Sequence, residues 1–228
     1  MTLAAVVEAV GAELAAAGKR PVLVGVAGSV AVGKTTFAEQ LRHALAPVNV
    51  AVLATDCFLL PNDELGRRGL GMQKGFPASY DTGEIERFLD GLDTDGTAEV
   101  PVYSHAVYDR VKGEYETIGP ADVIVIEGVN ALQPPLAGRL DVAVYLDAGE
   151  ADIERWFVAR FLDLCLAAET DDSSFYRGFV GLSPGEQARM ASSVWSAINL
   201  VNLREHIAPT KAAAHVVVAK AGDHSLRD

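Results

Sequence analysis

Gly28-Ser29-Val30-Ala31-Val32-Gly33-Lys34-Thr35 fits the pattern G-x4-G-K-[ST], whose residue types suit gripping a polyphosphate. Backbone N–H groups must converge on phosphate oxygens, and side chains at the tight positions would block that approach; glycine removes the obstacle. Lys34 then brings positive charge to the β and γ phosphates, and Thr35, followed by Thr36, offers a hydroxyl ligand to Mg2+. A helix starting here aims its positive end at the same anion. From composition, roughly 0.004 chance matches to this pattern are expected in the whole chain, so coincidence is a poor explanation.

Two acids end apolar runs. Asp56 follows 48–55, and Glu127 follows Val123-Ile124-Val125-Ile126, a Walker-B-like stretch. In an open α/β sheet, ligands collect at the carboxyl ends of the strands. A hydroxyl attacking a γ-phosphoryl needs an acceptor for its proton, which suits Asp56; Glu127 would contact Mg2+ or its waters. Taken alone, each acid reads equally well as a helix cap or a solvated strand end.

The elements that must position these groups follow from periodicity. Residues 22–27 form a β-branched run ahead of the glycine loop, and a helix is expected from 34 to about 45. Residues 48–55, 122–126, 140–146 and 215–219 read as further strands, and 150–166 and 183–205 as helices. The second helix is announced by Ser183-Pro184-Gly185-Glu186, a serine cap with Pro at the first helical position. Strands alternating with helices imply a three-layer α/β fold, a mainly parallel sheet covered on both faces.

Between these lies a departure from the alternation. Residues 59–80 are rich in Gly, Pro and basic side chains (Arg67, Arg68, Lys74), an irregular stretch long enough to be a functional loop. Asp81 with Glu84 suggests a capping box opening a helix to about residue 92. Residues 102–108 and 114–118, separated by Val111-Lys112-Gly113, suggest a β-ribbon outside the main sheet. Leu3, Val6, Val10 and Leu14 recur at helical spacing. The expected organisation is a single domain over 1–228, with an N-terminal helix in 1–20 and an insertion over 59–119.

Composition narrows the partners. The chain has 228 residues, half of them hydrophobic, enough for one sizeable core. Its formal charge of −12 repels nucleic acid and anionic membrane surfaces. Cys57 and Cys165 show no CxxC pairing and fit inert, reduced thiols in the cytoplasm. The first 20 residues carry Glu8 and Glu13 and no basic leader, unlike a signal peptide, and the apolar stretch 21–33 is too short to span a bilayer. Three weaker signals are discounted. Gly181-Leu182-Ser183-Pro184-Gly185 matches a nucleophile elbow, yet proline after the serine has no N–H for an oxyanion. His43, His105, His206, His215 and His224 lack zinc-ligand spacing, and Asp63-Glu64-Leu65-Gly66 imitates a GTPase switch without any guanine-reading N-K-x-D.

The longer runs GSVAVGKTT (28–36), ATDCFLLPN (54–62), GFPASYD (75–81), PVYSHAVYD (101–109) and IEGVNAL (126–132), with ARFLDL, VWSAINLVNL and APTKAAA, resemble bacterial type I pantothenate kinases over roughly 22–225. That resemblance implies a P-loop NTPase fold of the phosphoribulokinase and uridine kinase group, a homodimer, and transfer of phosphate from MgATP to a primary alcohol. Carried over position by position, it implies Asp56 as base, Lys34, Thr35 and Glu127 at the phosphates and metal, and Arg160 spanning the transferring phosphoryl and the acceptor. It further implies Tyr103, His105, Phe157 and Asn199 facing a pantothenate-like acceptor, and Lys220 and His224 on the adenine side of the nucleotide.

Departures from the family pattern accompany the resemblance. The family carries a longer N-terminal extension where this chain has a short helix. Cys57 replaces a usual Gly, and Phe157 an acceptor-contacting Tyr. Glu39 stands where the family holds inhibitory coenzyme A with an arginine, while Leu164 and Glu169 replace aromatics that shelter its thiol tail. The charge reversal should repel the coenzyme's phosphates, so weak or absent feedback is expected. The same changes leave the acceptor open: a uridine kinase-like or other polyol kinase is the alternative, or a nucleotide-binding regulator without transferase activity. A uridine kinase-like lid would crowd several arginines into one helix, whereas 159–162 supplies only Arg160.

Overall fold

The computed structural model describes residues 2–16, 18 and 20–227. Its main sheet is built from five parallel strands, β1 (Val22–Gly28), β2 (Val50–Ala54), β5 (Val123–Glu127), β6 (Val142–Asp147) and β7 (Val216–Ala219), in the order β2-β5-β1-β6-β7. β1 and β5 are buried along their whole length, as unbroken apolar runs must be when helices cover both faces. Those helices include α1 (Leu3–Ala16), α2 (Lys34–Ala44) and α5 (Glu150–Ala167). The three-layer α/β expectation is met.

Register decides what happens at the carboxyl edge. Glu127 pairs with Val26 on one side and Ala54 on the other, so β5 and β2 end on one line and β1 runs two residues past it to Gly28. Asp56 comes two residues beyond that line, in a 3-10 turn over Thr55–Phe58 rather than on the strand itself. The turn is pinned from two directions. Phe58 packs on Phe88 of α4 (Thr82–Asp95), ring centroids 5.4 Å apart, and Thr55 is wholly buried against Gly128. A Cβ at Gly128 would lie 1.8 Å from Thr55 Oγ1 and 2.8 Å from Thr55 Cβ.

The 59–80 stretch is less irregular than its composition suggests. It holds α3 (Asn62–Arg67) and 3-10 turns at Gly71–Gln73 and Pro77–Ser79. Glu64 pairs with both Arg67 and Arg68 at helical spacing, so the switch-like 63–66 sequence is simply this short helix. At the start of α4 the expected capping box is half made. Asp81 accepts from the Glu84 N–H at 3.0 Å, but the Glu84 carboxylate turns to Arg87 (2.9 Å) and faces Arg110 (3.9 Å) instead of reaching back.

The β-ribbon exists with its turn elsewhere. β3 (Ala98–Ser104) and β4 (Asp109–Ile118) pair Tyr103 with Arg110 and Ser104 with Asp109, so the chain reverses over 105–108. Val111-Lys112-Gly113 lies inside β4, opposite a register shift between Pro101 and Tyr103; Gly113 accompanies an irregularity within the ribbon, not a reversal. The C-terminal helix also differs. α6 (Pro184–Val194) starts on the full Ser183/Glu186 capping box, but the helical run continues through π-turns at Trp195–Asn199 and Leu203–Ile207, on either side of α7 (Leu200–Asn202). Ser183 is thus a helix cap, as expected.

Both cysteines are buried free thiols whose pKa values burial pushes up, which keeps them protonated and unreactive. No helix among the described residues is long and apolar enough to cross a membrane. Gly128→Ala is expected to destabilise the fold by about 1–3 kcal/mol through overpacking, read as a lower denaturant midpoint. Adding Thr55→Ala should recover part of that loss, because the 1.8 Å overlap disappears and the 2.8 Å one remains. Equal midpoints for wild type and Gly128→Ala would show that the turn gives way freely.

Candidate active site

The glycine loop joins the end of β1 to α2, as its strand-then-helix context predicted. Gly33 adopts φ +87°, and a Cβ there would meet Lys220 Nζ at 2.8 Å. Lys34 Nζ donates to the Ser29 carbonyl at 2.8 Å. Burial pulls the Lys34 ammonium pKa down; the Glu127 and Asp56 carboxylates oppose that, and Arg160 adds to it. Thr35 Oγ1 donates to Glu127 Oε1 at 2.6 Å, joining the two groups expected at the metal. A hydroxyl and a buried carboxylate beside a phosphate loop are hard oxygen donors, and that donor set fits Mg2+.

Beside the loop, Val30, Ala31, Lys34 and Thr35 from it, with Asp56, Tyr103, His105, Glu127, Phe157, Arg160 and Asn199, line one cavity of about 250 Å³. Asp56 Oδ2 lies 3.9 Å from His105 Nε2, whose ring sits edge-on to Tyr103 at 5.3 Å. The ribbon therefore delivers two of its side chains over the Asp56 turn. Arg160 also lines an adjoining cleft of about 1270 Å³ with Lys34, Thr35, Thr36, Lys220 and His224, and so borders both spaces, as do Ala31, Lys34, Thr35 and His105.

At the outer end of that cleft His224 stacks on Trp156, centroids 3.9 Å apart, and burial beside Lys220 and Arg155 lowers its pKa. Lys220 is buried and donates to the Val32 carbonyl at 2.9 Å, bracing the glycine loop from β7's side. Gly28 closes β1, and Ser29 and Val32 are buried within the loop. Of the residues expected at the site, all but Gly28, Ser29 and Val32 line one or both of these adjoining spaces.

Sequence reasoning noticed Lys74 only as a basic residue in a long loop. It lines the cavity of about 250 Å³, with Nζ donating to Asn62 Oδ1 at 2.7 Å and to the Tyr108 carbonyl at 2.5 Å. The ammonium also stands 4.1 Å from the Tyr108 ring centroid and 5.2 Å from that of Tyr103. Burial pushes its pKa down to about 8 against the pull of Asp109 and Asp56. Tyr108 and Tyr176, likewise unforeseen, line the same space, and burial pushes the Tyr108 phenol up to about 12. The available signal was adjacency, since Lys74 immediately precedes the GFPASYD run.

This geometry has counterparts among known proteins. The profile of the Phosphoribulokinase / Uridine kinase family matches residues 23–155. A pantothenate kinase of Mesorhizobium japonicum is 41% identical over 226 residues, covering 92% of this chain and 71% of the relative. A pantothenate kinase of Ligilactobacillus salivarius is 40% identical over 220 residues, covering 92% and 72%. In fold alone, the D-glycerate 3-kinase of Cryptococcus neoformans superposes with a TM-score of 0.65 at 16% identity, over 99% of this chain and 97% of that one. With the phosphate loop, the parallel sheet and these relatives in agreement, the chain belongs to the phosphoribulokinase / uridine kinase family as a pantothenate kinase-like P-loop kinase.

Proposed function

We propose that this protein is an ATP-dependent pantothenate kinase, transferring the γ-phosphoryl group to the acceptor's primary hydroxyl. The observation that carries this reading is Lys74 sharing one cavity with Asp56. Pantothenate has a primary hydroxyl and a carboxylate on one small chain, and the cavity offers a proton acceptor for the first and a cation for the second. Uridine has no carboxylate, so Lys74 favours pantothenate over a uridine kinase-like role.

On this reading the loop amides, Gly28 through Thr36, hold the triphosphate. Asp56 accepts the hydroxyl proton as the acceptor oxygen bonds to the γ-phosphorus and the bond to the β–γ bridging oxygen breaks, leaving ADP. Lys34 and Arg160 offset charge on the transferring group, Arg160 with a planar guanidinium fork on a residue that borders both spaces. Thr35 and Glu127 would hold Mg2+, which when bound supplies charge neutralisation at the β and γ oxygens. Tyr103, His105, Phe157 and Asn199 shape the acceptor's side, and Lys220 and His224 the nucleotide's. The insertion over 59–119 is then the acceptor-binding part of a single kinase domain spanning 1–228. A cytoplasmic homodimer is part of the same proposal.

Feedback by coenzyme A is proposed to be weak. Glu39 projects from α2 in an ion pair with Arg42 (2.7 Å), so an anion approaching there meets a carboxylate rather than an unpaired guanidinium.

ADP release measured against pantothenate, uridine, ribulose 5-phosphate and glycerate tests the acceptor, with turnover expected on pantothenate; turnover confined to another acceptor would overturn the reading. In the same assay Asp56→Asn should keep nucleotide affinity and lose about 10²- to 10⁴-fold in kcat; wild-type turnover would remove Asp56 from its role. Because the Lys74 ammonium loses its charge as pH rises through about 8, the KM for pantothenate should climb over that interval. The KM for the analogue with CH2OH in place of the carboxylate should stay flat, and parallel profiles would detach Lys74 from the carboxylate. Titration of coenzyme A against ATP consumption should give little inhibition; potent competition with ATP would refute the Glu39 argument.

A further inference from the structure

Lys74 lies in a segment whose backbone bonds around it are short-range turns, Gln73 N–H to Leu70 O, Phe76 N–H to Gln73 O and Ser79 N–H to Phe76 O, and whose far end alone is tied at long range, where the Leu60 N–H donates to the Ser79 carbonyl at 2.8 Å. Such a segment does not fix its own position against the sheet, so ties from elsewhere must. The next residue, Gly75, has both backbone polar groups taken by side chains. Its N–H donates to Ser79 Oγ at 2.9 Å, and its carbonyl accepts from Asn202 Nδ2 at 2.9 Å, a bond spanning 127 residues of sequence.

Asn202 is 5% exposed, and its Oδ1 has no hydrogen-bond partner among the described residues. An apolar side chain would fill this space with no orphaned acceptor, so the amide's contribution is its donor. Its helix has an unusual build. Asn202 ends α7 between the two π-turns, and the first of those turns ends on Asn199, which lines the acceptor cavity. A π-turn shifts the faces of the helix beyond it, and such turns concentrate at functional sites. Here one helical run meets the acceptor side twice, with Asn199 in the cavity and Asn202 on the strand of loop behind Lys74. His206 from the second π-turn adds an edge-on contact to Phe76 at 5.5 Å.

We propose that Asn202 is a positioning residue for recognition of the acceptor's carboxylate: its bond to the Gly75 carbonyl holds Lys74 at the cavity. This rests on the pantothenate reading above. The consequence is a selective one, since loosening Gly75 affects the carboxylate's partner and leaves Asp56 and the phosphate loop on their own supports.

The test is Asn202→Leu, which keeps the volume and removes the donor. KM for pantothenate is expected to rise about 10-fold, with kcat and KM for ATP within about 2-fold of wild type. KM for the analogue bearing CH2OH in place of the carboxylate should not move. In a Lys74→Met background, Asn202→Leu should add nothing further to the pantothenate KM. An equal rise for both acceptors, or no rise for either, would overturn the proposal. If the leucine variant does not fold, Asn202→Ser, which draws the donor back from Gly75, must show the same selective rise or the proposal fails. Wild type inactive on pantothenate would defeat the functional reading itself; wild type active with an unselective variant defeats only the role of Asn202.

Discussion

The parallel register of β1, β5 and β2 at their carboxyl ends is the constraint on which the rest of the structure depends. Parallel pairing of Glu127 with both Val26 and Ala54 brings three chain segments to one line. Each strand then leads into a different segment: β1 into the glycine loop, β5 into Gly128, β2 into the Asp56 turn. Hydrogen bonding in a parallel ladder makes this a register statement, and a slip of one residue would turn every side chain to the opposite face. Gly128 shows how tight the arrangement is, because Thr55 occupies the space where a Cβ would be. The separation of Asp56 from the phosphate loop is thereby set by backbone packing rather than by flexible side chains.

Electrostatics follow from that geometry. A chain of net charge −12 has gathered Lys34, Lys74, Arg160 and Lys220 around two adjoining spaces. Burial works against the charged state of Lys34, Lys74 and Lys220, and nearby carboxylates oppose it for the first two. Lys220 answers with a backbone carbonyl, Val32 O, which ties the last strand to the glycine loop. The cations are thus held in place before any anion arrives, and an incoming polyanion offsets the cost of having desolvated them. The acidic remainder of the surface concentrates the attraction at the cleft.

How legible each part was in the sequence tracks how local its physics is. The glycine loop, the serine cap at Ser183 and the buried strands are each determined by neighbours within a few residues, and all stand where expected. The ribbon turn was misplaced because the chain reverses over 105–108 without glycine, proline or asparagine, while Gly113 marks an irregularity inside β4. The π-turns leave no compositional trace, since the residues there suit an ordinary helix equally well. Lys74 was passed over for a different reason. Its surroundings come from Asn62, Tyr103 and Tyr108, and its backbone neighbour is held by a helix more than a hundred residues away. Only the assembled fold brings these together.

That contrast separates two halves of the site. On the proposed reading the nucleotide half is built mainly from the contiguous glycine loop on the rigid sheet edge, with Lys34 bonded to the Ser29 carbonyl and Thr35 to Glu127. The acceptor half is assembled from the 59–80 segment, the ribbon, α5 and the π-turned helix, each contributing two to four side chains. A donor common to a whole family needs one unvarying grip, which contiguous sequence supplies. An acceptor that differs between relatives is better met by a composite wall, where a substitution on one element changes the pocket without disturbing the strand ends. Acceptor choice in such a protein therefore resides in how its peripheral elements are tethered to one another as much as in which side chains they present.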